Sequence, residues 1–322
     1  MDLRTCGFLH ILGAVRGDTV SDYQFNYSIY HRRFRQPLLT SHGSWEIRSG
    51  IIIHLTDRSG TTHPGEIAPI PWFGSESLEE VIDYCNSIGD NITIPQIHQI
   101  PNTLPACQFG FGTALTAFNS PSPPAPPISQ ISALLPTGAP AIDAWQTLWT
   151  QGYSTLKWKI GVAPIAAEVA IWTQLVQALP PTAKLRLDAN GGLTYPEAAQ
   201  WLKICSREPR IEFVEQPLAP DLIAETIALS NIYSTPIALD ESIATFDRLQ
   251  AIYDQGWRGI YTIKPGICGF PWRLTDFITE HQIDVVFSSV LETDVGRAAA
   301  LQLASELNLT RAMGFGIAEW FE

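Results

Sequence analysis

The sequence predicts an α/β protein, a modified TIM barrel of (β/α)7β type preceded by a smaller α+β domain. Three observations predict it. Between residues 131 and 317, apolar strand-like runs alternate with helix-like stretches in a strand-then-helix rhythm. Four successive runs end on a charged residue, Asp188, Glu215, Asp240 and Lys264, spaced by 27, 25 and 24 positions (188 to 215, 215 to 240, 240 to 264). The first part of the chain lacks that rhythm, and the run Ser-Pro-Ser-Pro-Pro-Ala-Pro-Pro at 120–127 sets it apart. Strand–helix alternation makes a parallel sheet with covering helices, and this many units predicts closure into a barrel.

In chain order, 7–15 is apolar enough to resemble a signal core but lacks a basic leader and an Ala-x-Ala site, so a first strand is expected there. The polar, aromatic-rich segment 17–35 reads as a long loop serving as a lid. His31 and His42 fall in or near it, as structural or exposed residues. The runs 48–56 and 61–67 flank Asp57-Arg-Ser-Gly60, a hairpin signal. Ser77 begins a helix, because Glu80 three residues later completes a capping box. A second helix, rich in small residues, covers 105–118. The expected division is 1–119 for the α+β domain with its lid, 120–127 for a stiff proline-rich linker and 128–322 for the barrel.

Within the barrel the predicted strand and helix pairs are 131–136 with 142–151, 153–161 with 165–179, 184–188 with 195–205, and 211–215 with 222–232. They continue with 236–240 and 245–255, 259–264 and 271–281, and 284–290 and 295–307; 312–317 is the closing eighth strand. Each pair has the length of one strand–helix unit.

Composition narrows the partners. The 322 residues suffice for a full barrel plus a smaller domain. Hydrophobic content of 45% and charged content of 16% describe an ordinary globule with a large core. A net charge of −12 argues against nucleic acid or anionic membranes. No run reaches the roughly 18 apolar residues of a membrane span. The five cysteines (6, 85, 107, 205, 268) are odd in number and lack metal-type spacing, so reduced thiols in the cytoplasm are expected.

The chemistry concentrates at the ends of the barrel strands. In Lys157-Trp158-Lys159, residues two apart share a face, so both ammonium groups project together with Trp158 opposite. Crowding like charges lowers each one's proton affinity and yields a base usable near neutrality; alone, the pair reads better as solvated lysines on an edge strand. Single acids at the C-terminal ends of successive parallel strands converge on one mouth, where such barrels carry their sites. Three carboxylates without a His or Cys cluster form a hard-ligand set suited to Mg2+ or Mn2+.

Lys-x-Lys on the second strand, acids ending the third, fourth and fifth, and lysine ending the sixth together resemble the enolase superfamily, in particular its muconate-lactonizing-type subgroup. The resemblance covers nearly the whole chain, since 34–43 and 65–74 are similar to the family's capping domain. It implies Mg2+, with Mn2+ as a substitute, held by Asp188, Glu215 and Asp240. It implies that Lys159 removes the proton α to a substrate carboxylate, giving an enediolate, and then protonates the departing hydroxyl. Lys264, on the opposite face, would hold the flat anionic intermediate by charge and a cation–π contact, and Lys157 would tune Lys159 and touch the substrate carboxylate. Asn190 and Glu241 would orient ligands and lysines from behind.

Ser288 and Ser289 end the seventh strand, where the mandelate-racemase branch carries a catalytic histidine, and one of the two faces the site. Arg186 shares a face with Asp188 and reaches either the cavity or a barrel-core salt bridge; Glu212 lies outside the metal site. Trp72, in a loop closed by Gly74, is the lid aromatic. The branch of nearest pattern is the dehydratase of menaquinone and phylloquinone biosynthesis, a carbon–oxygen lyase acting on a small carboxylate. An N-acylamino acid racemase would use the same lysines and acids. A Schiff-base aldolase on Lys264 leaves three acids unexplained, and a barrel kept only for binding leaves the lysines unexplained.

Overall fold

A computed structural model describes residues 22–40, 43–117, 126–316 and 320–322. The strand expected at 7–15, His42, and all of the linker run except Pro126 and Pro127 lie outside these residues. The first part holds an antiparallel sheet of four strands, β1 (Asp22–Thr40), β2 (Gly43–Thr56), β3 (Thr62–Ile67) and β4 (Asn91–Thr93), in the order β3-β2-β1-β4. Helices α1 (Leu78–Ile88), α2 (Ile94–His98) and α3 (Pro105–Thr116) complete it. The β2–β3 turn is tied by Asp57, whose Oδ1 accepts from the Ser59 and Thr61 amides at 2.9 Å each. The Ser77 and Glu80 capping box starts α1 as expected, and a second box, Thr93 with Gln96, starts α2.

The lid expected over 17–35 is corrected: from Asp22 onward this segment is strand β1, paired with β2 from Gln24↔Thr56 to Thr40↔Gly43 around one register shift between Arg33 and Leu38. Tyr23, Phe25 and Tyr27 alternate with the exposed Gln24, Asn26 and Ser28, the pattern of a strand with one face inward. The polar outward face is what gives the stretch its loop-like composition. His31 bonds Ser49 through Nδ1 at 2.7 Å.

The second part is the barrel. Strands β5 (Ile131–Leu134), β6 (Thr155–Lys159), β7 (Lys184–Asp188), β8 (Ile211–Glu215), β9 (Ile237–Leu239), β10 (Ile260–Ile263), β11 (Asp284–Phe287) and β12 (Met313–Gly316) form one sheet, ordered β11-β10-β9-β8-β7-β6-β5-β12. Between them run α4 (Ala141–Thr150), α5 (Ile165–Ala178), α6 (Tyr195–Cys205), α7 (Ile223–Ile232), α8 (Phe246–Asp254), α9 (Pro271–His281) and α10 (Asp294–Glu306). Closure from β11 to β12 rests on the bridge Ser288↔Gly314, with the Ser289 amide donating to the Gly314 carbonyl at 3.2 Å. Among the described residues no helix is long and apolar enough to cross a membrane. Cys85, Cys107, Cys205 and Cys268 are buried free thiols.

The two sheets meet over a buried polar seam. Glu66, 1% exposed at the end of β3, reaches the first turn of α10 and accepts from the Thr293 and Gly296 amides and the Thr293 hydroxyl. Its carboxylate faces the positive end of that helix and fills donors the helix cannot use itself. Tyr30 donates its hydroxyl to the same carboxylate at 2.5 Å. Arg48 donates to the Val290 carbonyl at 3.1 Å and the Pro69 carbonyl at 2.9 Å. Around this seam the apolar core of the first part runs into Ile267, Phe270 and Val290 of the barrel. Glu66→Gln keeps the size and removes the charge and an acceptor, so it should lower unfolding free energy by about 1–3 kcal/mol. Urea denaturation measures this, and an unchanged midpoint would mean the seam carries no stability.

Candidate active site

Local sequence aims β6. Leu156 and Trp158 are 0% exposed and pack outward in the large core beneath the helices, so Lys157 and Lys159 point to the barrel interior. The Lys157 Nζ lies 2.8 Å from Asp188 Oδ2 and 2.7 Å from Glu215 Oε1, joining the ends of β7 and β8. Lys159 is half-buried at the last position of β6, in register with Asp188. Lys264, 7% exposed just past β10, makes an ion pair with Asp240 just past β9. In the strand order, β6 and β10 stand four places apart in a ring of eight, with β7, β8 and β9 filling one arc between them. Lys159 and Lys264 therefore face each other across the mouth, and the three acids line one side.

The turns behind these acids are fixed by residues in the left-handed region. Asn190 (φ 44) donates its amide N–H to Asp188 Oδ1 at 3.0 Å and its side-chain NH2 to Glu241 Oε1 at 3.0 Å. Both residues thus stand against the acids, tied to each other and to Asp188. Gln216 (φ 38, 0% exposed) was not singled out in the sequence. Its Oε1 accepts from the Asp240 and Ser242 amides at 3.0 and 3.2 Å, while its Nε2 donates to the Ser242 hydroxyl and the Leu218 carbonyl. It locks the turn that carries Asp240 to the turn after Glu215. A glutamine between an acid and Pro217 was the only signal in the sequence. Strained backbone in an otherwise regular barrel marks a site held in place by its surroundings.

Other expected residues lie elsewhere. Arg186 is 2% exposed and bonds Glu212 at 2.7 Å, and Glu212 also takes Arg311 at 2.7 Å. Of its two sequence readings, the core salt bridge is the one observed. A register shift between Leu185 and Arg186 opposite β8 accompanies this pairing. Neither contacts the acid–lysine cluster. The Ser289 hydroxyl donates to Glu292 Oε2 at 2.8 Å, and Ser288 borders a small cavity beside Phe109, Ala300 and Phe315. Trp72 packs edge-on against Trp45 with centroids 4.7 Å apart, whereas its neighbour Phe73 reaches the site, its ring centroid 4.3 Å from Lys264 Nζ.

The electrostatics are those of crowded charge. Burial pushes the Glu215 carboxyl up to about 7, with Asp188 and Asp240 adding to the rise against the pull of Lys157. Burial also pushes Asp240 up to about 6, against Lys264. For Asp188 burial acts upward too, but Lys157 outweighs it and the carboxyl sits below its usual range. The Lys157 ammonium is disfavoured by burial, yet the surrounding acids hold it well above the usual lysine range. Glu241 is raised by burial and by Asp188, and its Oε2 is buried without a partner. Among the described residues no three acids stand in a finished metal-ligand arrangement; the Lys157 and Lys264 ammonium groups pair with the carboxylates instead. The donor set nevertheless fits a hard divalent cation: all oxygens, in negative excess, with one carboxylate oxygen unpaired.

This charge excess has a sign that can be measured. Glu215, Asp240 and Glu292 (raised by burial to about 7) each hold a proton more tightly folded than unfolded. Between about pH 5 and 7.5 the unfolded chain binds fewer protons, so stability falls as pH rises. Asp188 and Glu212, both depressed, are ionised in both states across this window and leave the slope unchanged. The metal-free protein should therefore melt lower near pH 7.5 than near pH 5.5, with added Mg2+ restoring more at the higher pH. Stability rising over the window would contradict the crowding described.

Comparison with known proteins supplies the family. The family model "Enolase C-terminal domain-like" matches residues 141–319 and "MenC, N-terminal domain" matches 25–118. The o-succinylbenzoate synthase of Thermosynechococcus vestitus is 38% identical over 92% of this chain and 93% of its own. A crystal structure of o-succinylbenzoate synthase from Thermosynechococcus elongatus BP-1, complexed with Mg in the active site, has a TM-score of 0.87 at 38% identity, covering 93% of this chain and 94% of that one. The substrate-liganded L-Ala-D/L-Glu epimerase of Bacillus subtilis shares the fold, with a TM-score of 0.78 at 20% identity over 94% of this chain and 91% of that one. The shared architecture, the two family-model matches and 38% identity over nearly the whole chain lead to one conclusion: the chain belongs to the o-succinylbenzoate synthase family of the enolase superfamily.

Proposed function

We propose that this chain catalyses the syn dehydration of 2-succinyl-6-hydroxy-2,4-cyclohexadiene-1-carboxylate to 2-succinylbenzoate, with Mg2+ as cofactor. The observation that carries the reading is the ring order: Lys159 and Lys264 end strands four places apart, with Asp188, Glu215 and Asp240 on the strands between. A flat ring bearing a carboxylate fits between two such ammonium groups. Asp188, Glu215 and Asp240 would hold the cation, with Lys157 and Lys264 giving up their present carboxylate contacts as it binds. Mg2+ supplies Lewis acidity, neutralising charge that develops on the substrate carboxylate.

The chain's residues do the rest. Neutral Lys159 takes the proton from the carbon α to the carboxylate. The Lys264 ammonium faces the other side of the ring and balances the negative charge that spreads over it. Lys159, now protonated, returns that proton to the departing hydroxyl; the C–O bond breaks, its electrons leave with oxygen, and water and the aromatic ring result. One lysine serving both steps on one face makes the elimination syn. Asn190, Gln216 and Glu241 keep the acids aimed while charge moves. Mn2+ would serve as a substitute cation. The same two-sided arrangement suits proton exchange at an N-acylamino acid, and a racemisation assay on N-succinyl amino acids reads that side activity.

Dehydration followed by the rise of aromatic absorbance should require divalent metal and stop with EDTA, returning on Mg2+ addition. Lys159→Ala should reduce turnover by at least about 10⁴-fold, since it removes both the base and the acid. Asp240→Asn should lose metal-dependent activity while remaining folded. Turnover by the lysine variant at a tenth of the normal rate would refute the assignment of Lys159, and metal-dependent activity in the asparagine variant would refute that of Asp240.

A further inference from the structure

The contact between Phe73 and Lys264 is not explained by packing within either part of the molecule. Phe73 ends the short 3-10 turn Pro71–Phe73 in the first part of the chain, and Lys264 follows β10 of the barrel. The ammonium nitrogen stands 4.3 Å from the ring centroid, inside the distance at which an aromatic face attracts a cation. Lys264 is 7% exposed and its one ion-pair partner among the described residues is Asp240. A cation bound by Asp240 would compete for that carboxylate. The aromatic face is then the contact left to hold the ammonium in position.

The turn is built to present that ring. Its near end is fixed by Arg48, which donates to the Pro69 carbonyl at 2.9 Å. Its far end is fixed by Glu76, 3% exposed, which accepts from the Ala106 and Cys107 amides at the start of α3. Between them the Ser75 hydroxyl accepts from the Ile70 amide at 2.7 Å, and the Phe73 and Gly74 amides close onto the Ile70 and Pro71 carbonyls at 2.9 Å. Gly74 turns the chain away at φ 93, a conformation other residues adopt only with strain. Trp72 is braced edge-on by Trp45. Phe73 itself is half-buried on the core of the first part, leaving one face toward the lysine.

We propose that Phe73 is a positioning residue for the reaction: its ring holds the Lys264 ammonium over the pocket through a cation–π contact, so the first part of the chain completes the barrel's electrostatic wall. This rests on reading Lys264 as the cation facing Lys159, and the test separates the two. Graded fluorination of the Phe73 ring, up to trifluorophenylalanine, preserves shape while draining the negative face. The contact's worth at a desolvated site corresponds to roughly tenfold in rate, so kcat should fall stepwise by about that factor while KM changes less than about twofold. Phe73→Leu should match the trifluoro form and Phe73→Trp should restore kcat. Calorimetry with 2-succinylbenzoate and Mg2+ supplies the second arm. Phe73→Leu should weaken binding of this product in the wild-type background and have no effect in a Lys264→Met background. Equal weakening in both backgrounds, or a kcat indifferent to fluorination, would overturn the proposal. Full turnover by Lys264→Met would instead overturn the role of Lys264 itself.

Discussion

Everything at the mouth of this barrel follows from crowding four carboxyls and three amines together, with three of the carboxyls and Lys264 almost shut away from water. Asp188, Glu215 and Asp240 are each no more than 4% exposed, and Glu241 stands behind them. Burial alone would neutralise such acids, since the charged form is the one that loses solvation. Interleaved lysines keep Asp188 ionised while Glu215 and Asp240 remain poised to gain or lose a proton. The site thus carries a standing demand for positive charge that its own lysines meet only in part. A divalent cation would answer that demand and free the lysines from the carboxylates they now hold.

The scaffold has to resist the relaxation such crowding invites. It does so in layers. Helices hold Trp158 and its neighbours outside, fixing which way β6 faces; Gln216 and Asn190 fix the turns; the Glu66 and Arg48 seam fixes the loop after β11 against the first sheet. Lower in the barrel, Arg186, Glu212, Arg311 and Asp284 form a separate network in which charges are paired within the chain. The upper cluster is left unbalanced and the lower one satisfied, a division that matches a working end and a holding end.

Much of this was legible in the sequence because barrels repeat. The charged strand ends at 188, 215, 240 and 264 carry their own period, and β8, α6 and α9 fall on the residues the pattern assigns. What could not be read has a common cause, dependence on partners remote in the chain. β1 looked like a loop because only pairing with β2 reveals which of its aromatic residues turn inward. Gln216 is one amide among many until its bonds to the Asp240 turn are seen, and Arg186 chose Glu212 through pairing across β7 and β8. Phe73 drew less notice than the larger Trp72 beside it, though it is the one whose ring meets the lysine.

The way the ring of strands shuts has a consequence for how the molecule is made. β12 meets β11 through one bridge, and at 320–322 the chain lies against β1, where Phe321 stacks on Phe34 and its carbonyl accepts from Arg35 at 2.6 Å. During synthesis, at about 5–20 residues per second, β1 emerges long before β12 or Phe321 exists. The ring can shut only once residue 316 has left the ribosome, so until residues 313–322 arrive the nascent chain must shelter seven unsealed strands beside a first sheet that lacks its contact with Phe321.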